Sequence, residues 1–164
     1  MYDTLKLEIW KQFGASLDMF ENALKQCPDK LWNDKDTLYW YWAYHTLFYT
    51  DYYLSEDPDN FHPPAPYSLS EFEEGNMPPQ NYTKEQLIEY TQFCREKCRK
   101  LLAEFTEEKA SQRWINKWKN CSMFEMMLYN MRHVQHHTGQ LNMLLGKIDH
   151  DLPIWVSQTK VELN

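Results

Sequence analysis

The sequence predicts an all-α protein: a single domain, residues 1–164, folded as a four-helix bundle with a long proline-rich, acidic connection between helices two and three. Three observations support this prediction. Apolar side chains recur every three or four residues over several long stretches, which is the spacing of one helix face. No stretch alternates as a strand does, and the 4 glycines form no Rossmann-like motif. The 16% aromatic content is enough to build one core.

The first helix is expected over residues 3–26. Pro28 ends it, because proline lacks an amide hydrogen and disfavours helical backbone at the residue before it. Large side chains step by three and four along this helix and predict one buried stripe: Trp10, Phe13, Leu17, Phe20 and Leu24.

The second helix is expected to begin near Asp36 or Thr37, either of which can cap the free amides. It runs to about Ser55, before Pro58. Its stripe places a single histidine, His45, among apolar and aromatic residues: Leu38, Tyr41, Trp42, Phe48, Tyr49 and Tyr52.

The connection between helices two and three, residues 56–82, differs from the rest of the chain. It holds six of the eight prolines and six acidic residues, and it contains no Lys or Arg. A structureless loop of this length is uncommon in a compact domain. The segment is therefore a lid over a site, a short helix around residues 68–74, or a locally disordered flap, and the sequence does not choose among them.

The third helix opens at Thr83 and Gln86, whose side chains form a capping box. Its residues then step by four and three, the seam of an antiparallel bundle helix: Leu87, Thr91, Cys94, Cys98, Leu101 and Phe105.

The final helix follows a connection that contains Trp114, Ile115 and Trp118. A second capping box, formed by Ser122 and Glu125, begins it. It is expected to run to Leu145, with Gly146 as the C′ residue that ends it.

Charge and composition exclude several classes of partner. Seventeen basic against 24 acidic residues give a net charge of −7, which disfavours nucleic acids and anionic membranes. The one basic cluster, Arg95 to Lys100, is broken by Glu96 and is expected to be a solvated helix face. The most apolar window, 38–54, contains His45 and Asp51 and is short for a bilayer span of about 20 residues. It is expected to be a buried helix.

The cellular compartment is expected to be the cytoplasm. The first residues carry early acids and lack the basic and apolar regions of a secretory signal. The four cysteines do not form a Cys-x-x-Cys pair and are expected to be free, buried thiols: Cys27, Cys94, Cys98 and Cys121.

The segment 133–140, His-Val-Gln-His-His-Thr-Gly-Gln, carries the chemistry of the chain. His133, His137 and Gln140 share one narrow sector of the helix, so the two imidazoles can converge on one cation. His45 is a plausible third ligand, and three imidazoles leave a fourth position open for water or substrate. His136 projects elsewhere and is assigned an outward or supporting role.

Other readings of the histidines remain. A buried histidine is often satisfied by a hydroxyl, and His45 has tyrosine neighbours. Ferritin-like di-iron and zinc-protease sites are set aside, because neither a Glu-x-x-His pair nor a His-Glu-x-x-His motif occurs.

At these residues the chain resembles the DinB-like family of metal-binding four-helix-bundle proteins. The matching elements are His45 within Ala43–Leu47 and the His133-x-x-x-His137 pair followed by Thr-Gly-Gln-Leu. The helix order over roughly residues 3–150 is similar as well. The resemblance implies a histidine triad of His45, His133 and His137 that binds a divalent transition metal, zinc or nickel first, with Gln140 close to the site. Thr138 stands where many relatives have Arg.

The family resemblance also implies a function. Some relatives are metal-dependent transferases or isomerases that use a low-molecular-weight thiol such as bacillithiol or mycothiol, and the expected substrate is a small molecule. Besides Gln140, Tyr41 and Tyr129 are expected to contact a bound cofactor. A hydrolase that uses these tyrosines or Tyr49 as hydrogen-bond partners, and a non-catalytic metal-binding or stress-response protein, are the alternatives.

Two further expectations concern the lid and the oligomeric state. The connection 56–82 can place His62 or a carboxylate over the metal as a fourth ligand. The last helix has a second apolar surface, and because related proteins are often homodimers, a homodimer is expected through it: Phe124, Leu128 and Met131.

Overall fold

The computed structural model describes residues 2–164, and most of them are helical. The all-α class is therefore confirmed. The six helices are α1 Tyr2–Gln26, α2 Asp29–Trp32, α3 Tyr39–Tyr53, α4 Lys84–Ala103, α5 Glu107–Ser111 and α6 Met123–Lys147. Two short strands, β1 Arg113–Ile115 and β2 Asn120–Ser122, form an antiparallel pair.

The four long helices share one core. Helix α1 packs against α4 and α6, and α3 packs against the same two helices. The stripe predicted on the first helix and the seam predicted on the third are both buried, and the capping box at Thr83 and Gln86 is present. All four cysteines are free and buried. Within residues 2–164, no helix is long and apolar enough to cross a membrane.

Helix α3 begins later than the sequence predicts. Asp36 and Thr37 do not cap it; instead the Thr37 amide donates to the Asp34 carboxylate, 3.0 Å away, in a turn that precedes the helix. Leu38 stands at the N-cap in left-handed backbone conformation, with φ 52°, and makes no side-chain cap. The Thr37 backbone amide is thus bonded in this turn, and the Thr37 hydroxyl is buried without a hydrogen-bond partner among the described residues.

The connection 56–82 is packed onto α3. Two single 3-10 turns, Pro58–Asn60 and Ser70–Phe72, are its only regular structure within the described chain. The second turn lies within the window where a short helix was one of the open possibilities. Aromatic contacts hold the segment down: Phe72 lies 5.0 Å from Phe48, centroid to centroid, and Tyr82 lies 4.8 Å from Tyr44.

The segment between α4 and α6 contains structure that the sequence did not predict. Helix α5 and the β1–β2 hairpin are too short to produce a periodic signal. Trp114 of β1 is buried and donates from its indole nitrogen to the Ser55 carbonyl oxygen at 3.0 Å. The hairpin therefore covers the C-terminal end of α3.

The end of α6 also differs from prediction. Gly146 is helical, and the helix continues to Lys147. The reversal is made by Asp149, whose φ of 53° is left-handed, while the His150 amide donates to the Leu145 carbonyl. Of the second capping box, only the bond from the Glu125 amide to the Ser122 hydroxyl is present.

The C-terminal segment, residues 148–164, has no regular structure and lies along α1. The Thr159 amide donates to the Lys11 carbonyl, and the Trp10 indole donates to the Val161 carbonyl at 2.7 Å. Gly14 allows the close approach, because Thr159 lies where a side chain at this position would stand.

The basic cluster on α4 is a solvated face only in part: Lys100 is exposed and Arg99 pairs with Glu96 on the same helix, whereas Arg95 and Lys97 differ from the prediction. Arg95 is buried and pairs with Asp18 and Glu21 of α1. Lys97 pairs with the buried Asp51 of α3. Arg95 and Lys97 therefore link α4 to the neighbouring helices, and the acidic partners on those helices compensate their charges.

Candidate metal centre

The structure brings the three predicted histidines together. His45 comes from α3, and His133 and His137 come from successive turns of α6. Their ring centroids are 4.6 Å apart for His133 and His137, 4.9 Å for His45 and His137, and 5.9 Å for His45 and His133. One ring nitrogen from each lies within 4.8 Å of the others. This group can hold a metal ion.

A buried hydrogen bond sets the register between α3 and α6. Asn130 is fully buried, and its side-chain amide donates to the Thr50 carbonyl oxygen at 2.9 Å. Asn130 precedes His133 by three residues, and Thr50 follows His45 by five. The bond therefore aligns the two helices next to the histidine cluster.

His133 has a more strongly lowered pKa than His137, although His137 is the less exposed of the two. Burial, followed by the neighbouring rings of His137, His45 and His136, lowers the pKa of His133 to about 2. Its Nδ1 atom is buried and has no hydrogen-bond partner among the described residues. A buried polar atom without a partner costs free energy. Coordination of a cation by this nitrogen would supply the missing partner.

His137 is held from two sides. Its Nδ1 lies 2.6 Å from Gln140 Oε1, and its ring stacks on Trp42 at 6.1 Å between centroids. Because an amide oxygen only accepts hydrogen bonds, Nδ1 carries the hydrogen and Nε2 keeps a free lone pair. Burial lowers the pKa of His137 to about 4, although the bond to Gln140 opposes the shift. The ring is neutral at neutral pH, as a metal ligand requires.

Glu71 is the acidic residue that the connection 56–82 places at the site. Its Oε2 lies 2.6 Å from His45 Nδ1, and its side chain is only 3% exposed. The Tyr49 hydroxyl donates to the Glu71 backbone carbonyl at 3.0 Å. Burial, followed by the charge of Glu71, raises the pKa of Tyr41 and of Tyr49 to about 12.

The remaining candidate residues lie at different distances from the cluster. Tyr41 is beside His45, with ring centroids 6.3 Å apart. Tyr129 lies one turn before His133 in an open groove of about 440 Å³, which His136 also lines. The exposed His136 and the exposed His62 do not belong to the group of converging ligand atoms.

The sequence allowed a carboxylate from the connection to reach the site but did not identify Glu71. Six acids occur in that segment, and periodicity does not distinguish them. The available signal is the adjacent Phe72, whose ring packs on Phe48 and Tyr52 of α3. Because Phe72 packs on α3, the acid next to it in the sequence, Glu71, is brought close to the same helix.

Comparisons of the chain with known protein families, with curated proteins and with solved structures find no match. The site is therefore interpreted from its own residues. Three imidazoles, one of them with an unpartnered ring nitrogen, and a buried carboxylate behind another ring form a donor set that fits a divalent transition metal.

Proposed function

We propose that this chain is a divalent-metal-binding protein of the DinB-like type, and that its three-histidine site serves a metal-dependent thiol S-transferase or isomerase. One observation carries the proposal: His45, His133 and His137 present ring nitrogens within 4.8 Å of one another. Zinc and nickel are the first candidates for the metal, since imidazole suits both.

The arrangement of the long helices supports the family part of the proposal. Each of α1 and α3 packs against both α4 and α6, which is the neighbour relation expected of a four-helix bundle. The histidines come from the second and the last of these four helices, as they do in the DinB-like pattern.

An open coordination position supports chemistry over a closed structural site. Glu71 is bonded to His45 Nδ1 and does not belong to the group of ligand atoms within 4.8 Å. Three protein ligands with a free fourth position are typical of catalytic metal sites, whereas structural sites are closed by four.

A metal held there would supply a Lewis acid that keeps a small thiol ionised at neutral pH. The protein's own residues shape the space around that position. The indole of Trp42, 37% exposed, stacks on His137 and forms one wall. Tyr41 and Tyr49 carry their hydroxyl hydrogens at neutral pH, as tyrosines ordinarily do, and burial moves the pKa of each further from neutrality, to about 12.

The decisive experiment has two stages. Metal content is first measured by elemental analysis on protein purified without an affinity tag or chelator, beside His45→Ala and His137→Ala. We expect about one equivalent of transition metal in the wild type and none in either variant, with the far-UV helical spectrum kept. Full metal in both variants would contradict the site.

In the second stage, the protein is loaded with Co(II) and titrated with a small thiol. Binding of the thiolate to cobalt adds a sulfur-to-metal charge-transfer band in the near ultraviolet. Appearance of this band supports thiol chemistry. A metal-loaded protein that shows no band with any thiol, yet hydrolyses an ester or amide, would replace the transferase with the hydrolase.

We further propose that the protein forms a homodimer through α6. Phe124 and Met131 pack partly against the chain's own core, and Leu128 remains 37% exposed beside them. Leu128 is therefore the residue of this surface that is free to enter an interface.

A further inference from the structure

The Glu71 carboxylate occupies an unusual environment for an acid in a loop. Its side chain is 3% exposed, while the neighbouring Glu73 and Glu74 are exposed. Burying a carboxylate is energetically unfavourable unless hydrogen bonds or opposite charges compensate for the lost hydration. Only Oε2 has a hydrogen-bond partner among the described residues, and Oε1 is buried without one.

The partner of Oε2 is a ring nitrogen of a metal-site histidine. Because a carboxylate accepts hydrogen bonds, His45 Nδ1 carries the hydrogen, and Nε2 is the atom left with a lone pair. A carboxylate behind a ligating imidazole fixes its tautomer and orientation and makes it a stronger ligand. The same carboxylate compensates part of the charge of a bound cation.

The turn that contains Glu71 is held on α3 by contacts other than the bond to His45. The Tyr49 hydroxyl donates to the Glu71 carbonyl, and Phe72 packs on Phe48 and Tyr52. Three contacts thus hold this turn on α3 on the same side as His45. Because Glu71 belongs to this segment and is hydrogen-bonded to the ligand His45, we expect the position of the segment to depend on whether a metal is bound at the site.

We propose that Glu71 is the positioning residue of the metal centre: it orients His45 for coordination and couples the order of residues 67–74 to metal occupancy. This inference rests on the proposed function for the metal itself. Glu71 bonds to His45 on the ring nitrogen that does not coordinate the metal, so it leaves the fourth coordination position free.

The test compares Glu71→Ala, Glu71→Gln and the control Glu74→Gln, in full-length protein loaded with Co(II). We expect the dissociation constant to rise about 100-fold in Glu71→Ala and about 10-fold in Glu71→Gln, because the neutral amide still accepts from Nδ1–H but more weakly. Glu74→Gln removes the same charge from an exposed position three residues away and should bind as the wild type does.

Two spectroscopic readouts separate positioning from direct coordination and from a purely structural role. The visible absorption of Co(II) should keep its four-coordinate intensity in Glu71→Gln. Amide hydrogen exchange in residues 67–74 should slow on metal binding in the wild type and in Glu74→Gln, but not in Glu71→Ala. A changed coordination number in Glu71→Gln would make Glu71 a ligand and overturn the proposal.

The two proposals fail in different ways. A wild type that binds no metal contradicts the proposed function. A wild type that binds metal while Glu71→Ala matches Glu74→Gln in affinity and in hydrogen exchange contradicts only the role of Glu71.

Discussion

Gln140 Oε1 lies 2.6 Å from His137 Nδ1, three residues earlier on the same helix. His45 has the equivalent support from Glu71, so two of the three imidazoles are oriented through Nδ1 by a residue outside the ligand group. The third, His133, has a buried Nδ1 with no partner among the described residues. The asymmetry indicates that His45 and His137 are the preorganised ligands.

The first prediction concerns Gln140. Gln140→Leu removes the acceptor while keeping a side chain of similar size, and we expect metal affinity to fall about 10-fold or more because His137 loses its fixed tautomer. Gln140→Glu retains an acceptor oxygen and should restore most of the affinity. Competition with a chelator measures both, and equal affinity in Gln140→Leu and the wild type would contradict the role.

The second prediction separates two of the three histidines on α6. His133→Ala removes a member of the converging group and should abolish stoichiometric metal binding. His136→Ala changes an exposed ring outside that group and should lower affinity far less. The reverse ranking in elemental analysis would mean that a different pair of α6 histidines coordinates the metal.

The sequence predicted the parts of this protein that repeat with the helical period. The stripe ending at Leu24 and the pair His133 and His137 follow from spacing alone, because a helix places such residues on one face. Glu71 was not predicted, since its position depends on how Phe72 packs against a helix distant in sequence. Leu38 adopts left-handed backbone, which leucine disfavours, and Asp149 makes the left-handed reversal after α6 in place of Gly146, so neither the start of α3 nor the end of α6 was predicted correctly.

The third prediction concerns the pH dependence of the metal-free protein. Folding lowers the pKa of His133 to about 2 and of His137 to about 4, so below about pH 6.5 the unfolded state binds protons that the folded state does not. The free energy of unfolding should fall as pH drops from 7 to 5, by up to about 1.4 kcal/mol per pH unit for each histidine.

Urea unfolding at three pH values checks this dependence. His133→Ala removes one of the two groups, so its stability should fall less steeply over the same interval, while carboxylates common to both proteins cancel in the comparison. Parallel pH dependence in wild type and variant would exclude His133 as a source.

The fourth prediction tests the homodimer. Leu128→Glu places a charge in the middle of the proposed α6 interface, and burial of an unpaired charge should disrupt it. We expect a dimeric mass for the wild type at micromolar concentration and a monomeric mass for the variant, with unchanged metal content. Sedimentation or light scattering that gives a monomer for the wild type would remove this part of the proposal.

The fifth prediction concerns the contact between α1 and the C-terminal segment. A Cβ at Gly14 would lie 2.5 Å from Thr159 Cγ2 and 2.8 Å from its Cβ, so the segment must move in Gly14→Ala. We expect a loss of about 1–3 kcal/mol in the free energy of unfolding, as in other overpacked sites.

The matched control for Gly14→Ala is another helical glycine. A Cβ at Gly139 meets nothing within 4 Å, so Gly139→Ala should stabilise the protein by about 0.5–1 kcal/mol through the better helix propensity of alanine. Adding Thr159→Gly to Gly14→Ala removes both clashing atoms and should recover part of the lost stability. Opposite signs for the two alanine variants would locate the effect in the contact with Thr159, whereas equal stabilisation would mean that residues 148–164 do not hold their position against α1.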